Sequence, residues 1–495
     1  MSEELTRETE EARRDAAELS RMGYAQELFR DMGGFSNFAL SFSLISIITG
    51  ITQLYDFGLK MGGPFEMLVG WPVVTTFSLF VALSMAELAS AFPTSGAMYH
   101  WACKLGGAHW GWLTAWLNIV GLVTLVAAVD YGCAQFALPL IGVEGTSLNL
   151  LATYALILIS HGLINHFGIR LVAWLNDFSV TVHMVGVTAL IGALWLYAPH
   201  QSPEFLTLQQ SFGDDAPKPY LFAFIVGLLQ AQWTMTGYDA SAQVSEETVE
   251  PRVRVPWGIV MAVVVSAVFG YIFIIMLTLS IPAIDGVLAT KDASGTDVPA
   301  IIAILTRSLG PRVGWTLSAL VVGTAWFCGL SAITSVSRAI YAFSRDDGMP
   351  LSSLWRRVSP RFGTPAAAIW LTVGTAFGAA VYSKALAAII SISVVAIYLS
   401  YILPVVLDWK HELSGGETLR GPWNLGRFSR PVHAVAIAWT AFITVVLVIP
   451  IPANPLTGYT LLGTLFVLGV YHVVWARHHF QGPEFLRESP QTLQA

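Results

Sequence analysis

The chain has 495 residues, of which 55% are hydrophobic and only 12% are charged, and its mean hydropathy is +0.62. This composition excludes an ordinary soluble protein and indicates a membrane protein with several spans. The net charge is −6, and the sequence has no basic region of the kind that would indicate a nucleic-acid partner.

Residues 1–34 are rich in charged side chains and contain no apolar core. A cleaved signal peptide requires such a core, so we predict a charged tail with a surface helix.

The first apolar stretch, residues 35–57, has the sequence Ser46-Ile47-Ile48-Thr49-Gly50-Ile51 near its middle. A glycine beside a β-branched threonine disfavours a continuous helix. We therefore predict two half-helices separated by a break. Non-helical backbone at membrane depth is tolerated only where it faces a cavity or buried protein, so the break indicates a polar site inside the membrane.

Eleven further apolar stretches have about the length needed to cross a bilayer. They lie near residues 66–91, 110–139, 148–166, 171–198, 220–243, 257–281, 313–343, 365–382, 385–407, 432–450 and 457–476. Twelve spans place both termini on one side, and the excess of lysine and arginine in the loops of that side predicts that it is the cytoplasm. Residues 298–309, in the longest outer connection, are predicted to form a short helix over the entrance.

Glu87 lies at the cytoplasmic end of the second span. It is a candidate for an inner gate formed by an ion pair with Arg338 or Arg345. A solvated charge at a helix end is the alternative.

The third span carries an ionisable residue, Asp130, among apolar neighbours. An unpaired charge in lipid costs on the order of several kcal/mol, so Asp130 is a candidate functional residue. It either selects a cationic or ω-amino group of a ligand or makes an interior hydrogen bond that fixes helix packing. His161 and His166, near the inner end of the fourth span, are interpreted as interfacial.

The sixth span, residues 220–243, is interrupted by Thr234-Met235-Thr236-Gly237. Asp239 follows in a position suited to capping a new helix start. A kinked helix without a ligand is one interpretation. Two glycine-interrupted spans in corresponding positions of two halves favour the other, the substrate site of a secondary transporter.

Five motifs occur in order between about residues 30 and 480. They are FS with SIITGI (42–51), AELASAFPTSGAMYHW (86–101), GYDA with EE and VPW (237–257), SRAIYAFSRD (337–346) and YLSYILP (398–404). Together they resemble the amino acid-polyamine-organocation superfamily, and within it the amino acid, GABA and choline permeases. Many relatives have a second glycine where this chain has Ala97.

The resemblance implies an all-α membrane protein with a LeuT-like five-plus-five inverted repeat, in which the first and sixth helices are broken. The first repeat would be residues 35–198 and the second residues 220–407. Spans eleven and twelve, residues 432–476, lie outside it, and residues 477–495 form a cytoplasmic tail.

A broken helix exposes amides that attract anions and carbonyls that attract cations, so two broken helices can hold both ends of an amino acid zwitterion. We assign the carboxylate to the first break, where the family also places it, at the amides of Thr49, Gly50 and Ile51. The ammonium would meet the carbonyls of the second break. The predicted substrate site comprises Ser46, Ile47, Thr49, Gly50, Ile51, Asp130, Trp233, Thr234, Met235, Gly237, Tyr238 and Asp239.

The resemblance also indicates where a coupling ion would bind, without deciding between proton, sodium and exchange. His183 follows Asn176 by seven residues in the fifth span, and in proton-coupled relatives that spacing brings a lysine to the place where sodium-coupled relatives bind their ion. A buried histidine there can exchange a proton near physiological pH, although a packing histidine is the alternative. Hydroxyls on the eighth span could bind sodium instead: Ser331, Thr334 and Ser335.

The sequence has no catalytic or nucleotide-binding motif, so we predict neither an enzyme nor a primary pump. Cys103, Cys133 and Cys328 lie in or beside apolar runs, and we predict no metal site and no cofactor. A small amino acid or amine such as GABA, carried across the cell membrane with a proton, with sodium or in exchange, is the predicted substrate. Choline, held by aromatic faces, or a polyamine is the alternative, as is a nutrient sensor that binds without transport.

Overall fold

The computed structural model describes residues 13–291, 298–382, 386–415, 420–449 and 457–487. Within these ranges the chain forms helices and connecting loops, with one isolated β-bridge between Met32 and Thr248. Residues 1–12 and 488–495 of the two predicted tails lie outside the described residues.

Eight helices make up the first part of the chain. They are α1 (residues 13–21), α2 (Gly34–Ile45), α3 (Ile47–Phe65), α4 (Trp71–Ala91), α5 (Ala97–Gly106), α6 (Ala108–Leu140), α7 (Ser147–Phe167) and α8 (Ile169–Tyr197). A π-helical turn, Glu66–Gly70, joins α3 to α4. Gly168 alone separates α7 from α8, and its φ of 133° is open to glycine but strained for other residues, so the chain turns sharply there.

Fourteen further helices follow along the described part of the chain. They are α9 (Tyr220–Gly227), α10 (Leu229–Thr234), α11 (Ala240–Gln243), α12 (Pro251–Leu279), α13 (Ile284–Leu288), α14 (Ala300–Leu309), α15 (Pro311–Arg345), α16 (Ser352–Trp355), α17 (Ala366–Tyr382), α18 (Leu386–Leu413), α19 (Ser429–Val448), α20 (Thr457–Tyr471), α21 (Arg477–His479) and α22 (Glu484–Arg487). The short helix α14 lies where the sequence predicted one.

Nine segments of the described residues are long and apolar enough to cross a membrane. The first of them, Gly34–Ala91, runs for 58 residues and includes α2, α3 and α4. Three apolar helical segments of the described residues are shorter: Tyr220–Thr234, Ala300–Leu309 and Ala366–Val381. The chain is therefore a multi-pass membrane protein.

The interior of the bundle is formed by α6, α15 and α18, which are the most deeply buried of the long helices. The half-helix α2 packs against α8, α12 and α15, whereas α3 packs against α9 and α10. By contrast, α20 contacts α18 and α19 and is largely exposed. This arrangement places the ends of α2, α3, α10 and α11 in the centre of the protein.

Candidate functional site

The first span is interrupted at Ser46, within the segment that the sequence predicted. Ser46 adopts a left-handed conformation with φ 41° and ψ 75°, between the end of α2 and the start of α3. Its amide donates to the carbonyl of Phe42 at 3.0 Å, and its own carbonyl accepts from the Gly50 amide at 2.8 Å. The first-turn amides of Ile47, Ile48 and Thr49 therefore have no partner within the helix.

This geometry corrects the prediction of which amides are available to an anion. The amide of Gly50 is already bonded to Ser46, and Ile51 lies beyond the first turn of α3. The available donors are those of residues 47–49 rather than 49–51. The positive end of the α3 dipole nevertheless points to the same place.

The second interruption extends from Met235 to Asp239, between α10 and the four-residue helix α11. Gly237, in the middle, has a φ of 92°. The interpretation of Asp239 as a helix cap is wrong, because its side chain makes no capping hydrogen bond. Its buried carboxylate instead accepts from the Tyr401 hydroxyl and from Asn118 Nδ2, the latter at 3.4 Å.

The two interruptions are in direct contact. A Cβ atom added at Gly50 would lie 2.6 Å from Cγ2 and 2.9 Å from Cα of Thr234. A Cβ atom added at Gly237 would lie within 3 Å of the Leu44 side chain, near the end of α2. Glycine at both positions thus lets the two broken spans approach more closely than any other residue would allow.

Two tyrosines of α18 fix the second interruption. The Tyr398 hydroxyl donates to the Met235 carbonyl at 2.5 Å, and the Tyr401 hydroxyl accepts from the Gly237 amide at 3.1 Å. The Tyr238 ring packs against the Tyr401 ring at a centroid distance of 5.0 Å, with the two planes tilted by 47°. The unwound backbone is therefore supported by side chains of a separate helix, as irregular backbone inside a membrane requires.

A small cavity of about 10 Å³ lies between the interruptions, with room for about one water molecule. Its lining comes from α2, α3, α6, α10 and α15 together with Thr236, and consists of Leu44, Ile45, Thr49, Gly50, Gln53, Leu125, Val129, Trp233, Thr236 and Cys328. Three predicted site residues, Thr49, Gly50 and Trp233, are among them. The protein is thus closed tightly around the point where the two breaks meet.

His183 of α8 is fully buried and reaches the first interruption. Its Nε2 lies 2.8 Å from Oγ of Ser46, and its Nδ1 lies 2.8 Å from the carbonyl oxygen of Ser179. The Ser46 hydroxyl lies in turn 2.7 Å from Oγ1 of Thr49, at the cavity. A continuous hydrogen-bonded chain therefore runs from the imidazole to the lining of the cavity.

The three hydroxyls of α15 that were grouped with His183 have different surroundings. Ser331 donates to Oδ1 of Asn176 at 2.5 Å, and Thr334 donates to Oδ1 of Asn165 at 2.8 Å. The buried hydroxyl of Ser335 has no hydrogen-bond partner among the described residues. These hydrogen bonds direct Ser331 and Thr334 toward two different helices, α8 and α7.

Asp130 of α6 makes a buried hydrogen-bonding contact with a side chain of a neighbouring helix. Its carboxylate lies 3.1 Å from Nδ1 of His161 on α7, and both side chains are fully buried. The interpretation of His161 as an interfacial residue is therefore wrong. The contact of Oδ2 with His161 is an interior hydrogen bond of the kind that the packing alternative requires. Oδ1 of Asp130 is buried without a partner among the described residues, so selection of a cationic ligand group stays a prediction.

The expected gate pair between Glu87 and Arg338 or Arg345 is also wrong. Glu87 accepts from the Ser429 hydroxyl at 2.8 Å and from the Leu425 amide at 3.1 Å, on the side of α19. The two arginines of α15 bind carboxylates that follow α11. Arg338 forms a bidentate pair with Glu247, both contacts being 3.0 Å, and Arg345 forms one with Glu246 at 2.9 and 3.0 Å.

Glu246 and Glu247 were noted only as part of a family motif, and neither was predicted as the partner of Arg338 or Arg345. A signal for the pairing was present: the two arginines lie seven residues apart on one face of a helix, and the two acidic residues are adjacent just after the second break. The Arg338–Glu247 pair is fully buried. It therefore links α15 rigidly to the end of the interrupted span.

The segment before α2 covers this pair of salt bridges. Met32 exchanges backbone hydrogen bonds with Glu247 and Val249, at 2.9 and 3.0 Å. The guanidinium of Arg345 lies 3.7 Å from the ring centroid of Tyr24. Hydroxyls of Tyr24 and Tyr99 both donate to Asp346, and burial raises the pKa of each, so they remain protonated donors.

Comparison with known proteins identifies the family. The model of the amino acid permease family matches residues 32–471. The chain is similar to Amino-acid permease BAT1 of Arabidopsis thaliana, with 34% identity over 94% of this chain and 95% of that protein. It is 36% identical to the Amino-acid permease BAT1 homolog of Oryza sativa subsp. japonica, with the same coverage.

A more distant relative is the GABA-specific permease of Saccharomyces cerevisiae, with 28% identity over 94% of this chain and 85% of that protein. The relatives are permeases rather than enzymes, which agrees with two interrupted spans meeting in a buried interior. The chain belongs to the amino acid permease family.

Proposed function

We propose that the protein is a secondary active transporter that moves an amino acid, or a related amine such as GABA, across the cell membrane by alternating access. The observation that carries the proposal is the contact between two interrupted helices, Gly50 against Thr234, in the centre of the bundle. Unwound backbone in that position serves a transporter and has no evident use in a purely structural span.

The proposed topology has twelve spans with both termini in the cytoplasm. Of the nine long apolar segments, Gly34–Ala91 is long enough for two spans, and the shorter apolar helices at Tyr220–Thr234 and Ala366–Val381 supply the other two. Residues 35–198 and 220–407 are the proposed inverted repeats. Residues 432–476 form the spans outside them.

The proposed substrate site uses the opposite polarities of the two breaks. The carboxylate binds the amides of residues 47–49, at the positive end of α3. The ammonium binds carbonyls of residues 233–235, at the end of α10. A zwitterion is thus neutralised by backbone dipoles, which is consistent with the neutral cavity lining of Thr49, Gly50, Trp233 and Thr236.

His183 is the proposed proton-coupling residue. When the imidazole is neutral with its proton on Nδ1, Nε2 accepts a hydrogen bond from the Ser46 hydroxyl. When the ring is protonated, Nε2 donates to Ser46, and the Ser46 hydroxyl then donates to Thr49. Protonation of one buried ring therefore changes which hydrogen bonds Thr49 can offer to a bound carboxylate.

Choline is a second candidate substrate, favoured by one observation. Tyr238, Tyr398 and Tyr401 form a buried cluster beside the second break, with centroid distances of 5.0 and 5.5 Å. Aromatic faces of this kind bind quaternary ammonium groups. Against it, the Tyr398 and Tyr401 hydroxyls already bind the backbone and Asp239, which orients these rings for support of the break.

Counterflow in proteoliposomes tests the proposal. Vesicles are loaded with one unlabelled solute, and entry of the labelled solute is measured for amino acids, GABA, polyamines and choline. An amino acid or GABA should give saturable counterflow. Fast counterflow of choline or a polyamine alone would transfer the assignment to that substrate. Saturable binding without counterflow would identify a sensor.

A further inference from the structure

Glu66, in the π-helical turn between α3 and α4, carries a fully buried carboxyl group. Neither of its oxygens has a hydrogen-bond partner among the described residues. Buried carboxylates are normally paired or hydrogen-bonded. This group is therefore a candidate for a function that the substrate site does not explain. Single-turn π-helical segments of this kind often occur at functional sites.

The two carboxyl oxygens of Glu66 lie against glycine residues, which have no side chain. A Cβ atom added at Gly58 of α3 would lie 2.8 Å from Oε2, and one added at Gly70 would lie 2.8 Å from Oε1. A Cβ atom at Gly227 of α9 would lie 3.2 Å from Cγ of the same side chain. Small residues on two opposing elements thus form a close pocket for this carboxyl.

The polar groups on the elements that pack against Glu66 bind other partners. The Tyr55 hydroxyl lies 2.8 Å from Thr278 Oγ1, and the Tyr220 hydroxyl donates to the Gly62 carbonyl at 2.8 Å. From α12, Tyr271 donates to the Leu68 carbonyl at 3.1 Å. Asp56 of α3 accepts from the Ala300 amide at 2.8 Å.

Three polar side chains on these elements complete the surroundings. Gln230 of α10 also packs on Gly58, its Cβ lying 3.1 Å from a Cβ atom added there, and both of its amide atoms lack a partner among the described residues. Lys60 of α3 forms no ion pair with Glu66, and Glu204, in the 3₁₀ turn Pro203–Thr207 that packs against α3, is exposed. Among the residues that the structure describes, no cationic side chain pairs with the Glu66 carboxyl.

Leaving a buried carboxylate ionised without a partner is far more costly than protonating it, so Glu66 carries a proton in this closed conformation. The elements that hold it, α3, α9 and α10, are the parts of the two broken spans on the side opposite the cytoplasm in the proposed topology. If those half-helices separate, Glu66 meets water and ionises; if they close, it must take up a proton.

We propose that Glu66 is a second proton-binding site, which loads and releases its proton as the outer halves of the broken spans close and open. The connection to the substrate site is short. Gln230, beside Glu66, and Thr234, at the second break, belong to the same helix, and the Thr234 hydroxyl donates to the Gln230 carbonyl at 3.0 Å. This inference rests on the proposed transport function.

The test uses the full chain in proteoliposomes, with Glu66→Gln as a permanent mimic of the protonated state. Labelled amino acids of a panel that includes GABA are assayed in two ways, by counterflow without a pH gradient and by uphill accumulation driven by an inward proton gradient. Glu66→Gln should keep counterflow and lose accumulation. Glu204→Gln, which changes an exposed carboxyl, should keep both.

The outcomes separate the two proposals. Absence of counterflow in the wild type overturns the transport function, and with it the role of Glu66. If the wild type shows counterflow and Glu66→Gln accumulates the solute as well as the wild type does, the second proton site alone is overturned. The second proton site alone is also overturned if the wild type shows counterflow but no accumulation driven by the proton gradient.

A second measurement remains decisive if Glu66→Gln does not fold. An apolar carbodiimide modifies protonated carboxyl groups in membranes, and mass spectrometry locates the adduct. We expect modification of Glu66 in the wild type at neutral pH by the apolar reagent and not by a water-soluble one. Absence of the adduct with the apolar reagent would overturn the assignment.

Discussion

Replacement of Gly50 by alanine addresses the contact between the two interrupted spans. The added methyl carbon would lie 2.6 Å from Cγ2, 2.8 Å from Oγ1 and 2.9 Å from Cα of Thr234. One of these atoms belongs to the backbone, so rotation of the threonine side chain cannot relieve the clash. The two half-helices must move apart, and the conformation closed around the cavity is destabilised.

Overpacking of this kind costs about 1–3 kcal/mol. If that amount bears on the closed conformation alone, its population relative to open conformations falls by roughly 5- to 150-fold. Because alternating access passes through the closed conformation, the initial rate of counterflow should fall by a similar order. Insertion into the membrane should be unaffected.

The double variant Gly50→Ala/Thr234→Ala provides the matched control. Alanine at position 234 removes Cγ2 and Oγ1 and leaves the contact at Cα, so part of the lost rate should return. Gly192→Ala, in α8, adds a methyl where no atom lies within 4 Å, and should transport as the wild type does. Normal transport by Gly50→Ala would contradict the predicted clash. So would a double variant in which Thr234→Ala restores none of the transport rate lost in Gly50→Ala.

Three further variants test other parts of the structure. His183→Ala should flatten the dependence of uptake on external pH. An unaltered pH profile would show that His183 is not the proton-coupling residue. Glu247→Gln leaves buried Arg338 unpaired and should reduce the free energy of unfolding by about 3–5 kcal/mol. Glu250→Gln, at an exposed pair, should change the free energy of unfolding by no more than about 1 kcal/mol. Equal shifts of the melting temperature in the two variants would contradict this difference. Ala97→Gly should raise the melting temperature, because alanine at φ 42° is strained; no increase argues against strain.

The location of the two breaks could be predicted from sequence because it depends on local preferences. A threonine beside a glycine weakens a helix wherever it occurs, and both interruptions fall within or beside the segments so marked, at Ser46 and at residues 235–239. The exact position of the first break could not be predicted in this way. The turn at Ser46 precedes Gly50 by four residues, because Gly50 serves close packing against Thr234 rather than the turn itself.

The partners of polar side chains could not be predicted in the same way. Asp239 resembles a helix cap in sequence, but tertiary contacts with Tyr401 and Asn118 decide its role. His161 was placed at the interface from its position in the chain, whereas the orientation of α7 turns it inward to Asp130. Such pairings depend on how helices rotate and pack, which periodicity within one helix does not specify.

The central claim is that two interrupted helices hold the two charged ends of one small solute with their free backbone groups. A structure determined by electron microscopy with the solute that gives the fastest counterflow tests it most directly. We expect its carboxylate within about 3 Å of the amides of residues 47–49 and its ammonium at the carbonyls of residues 233–235. A solute bound elsewhere, or one whose charged ends contact neither break, would contradict the claim.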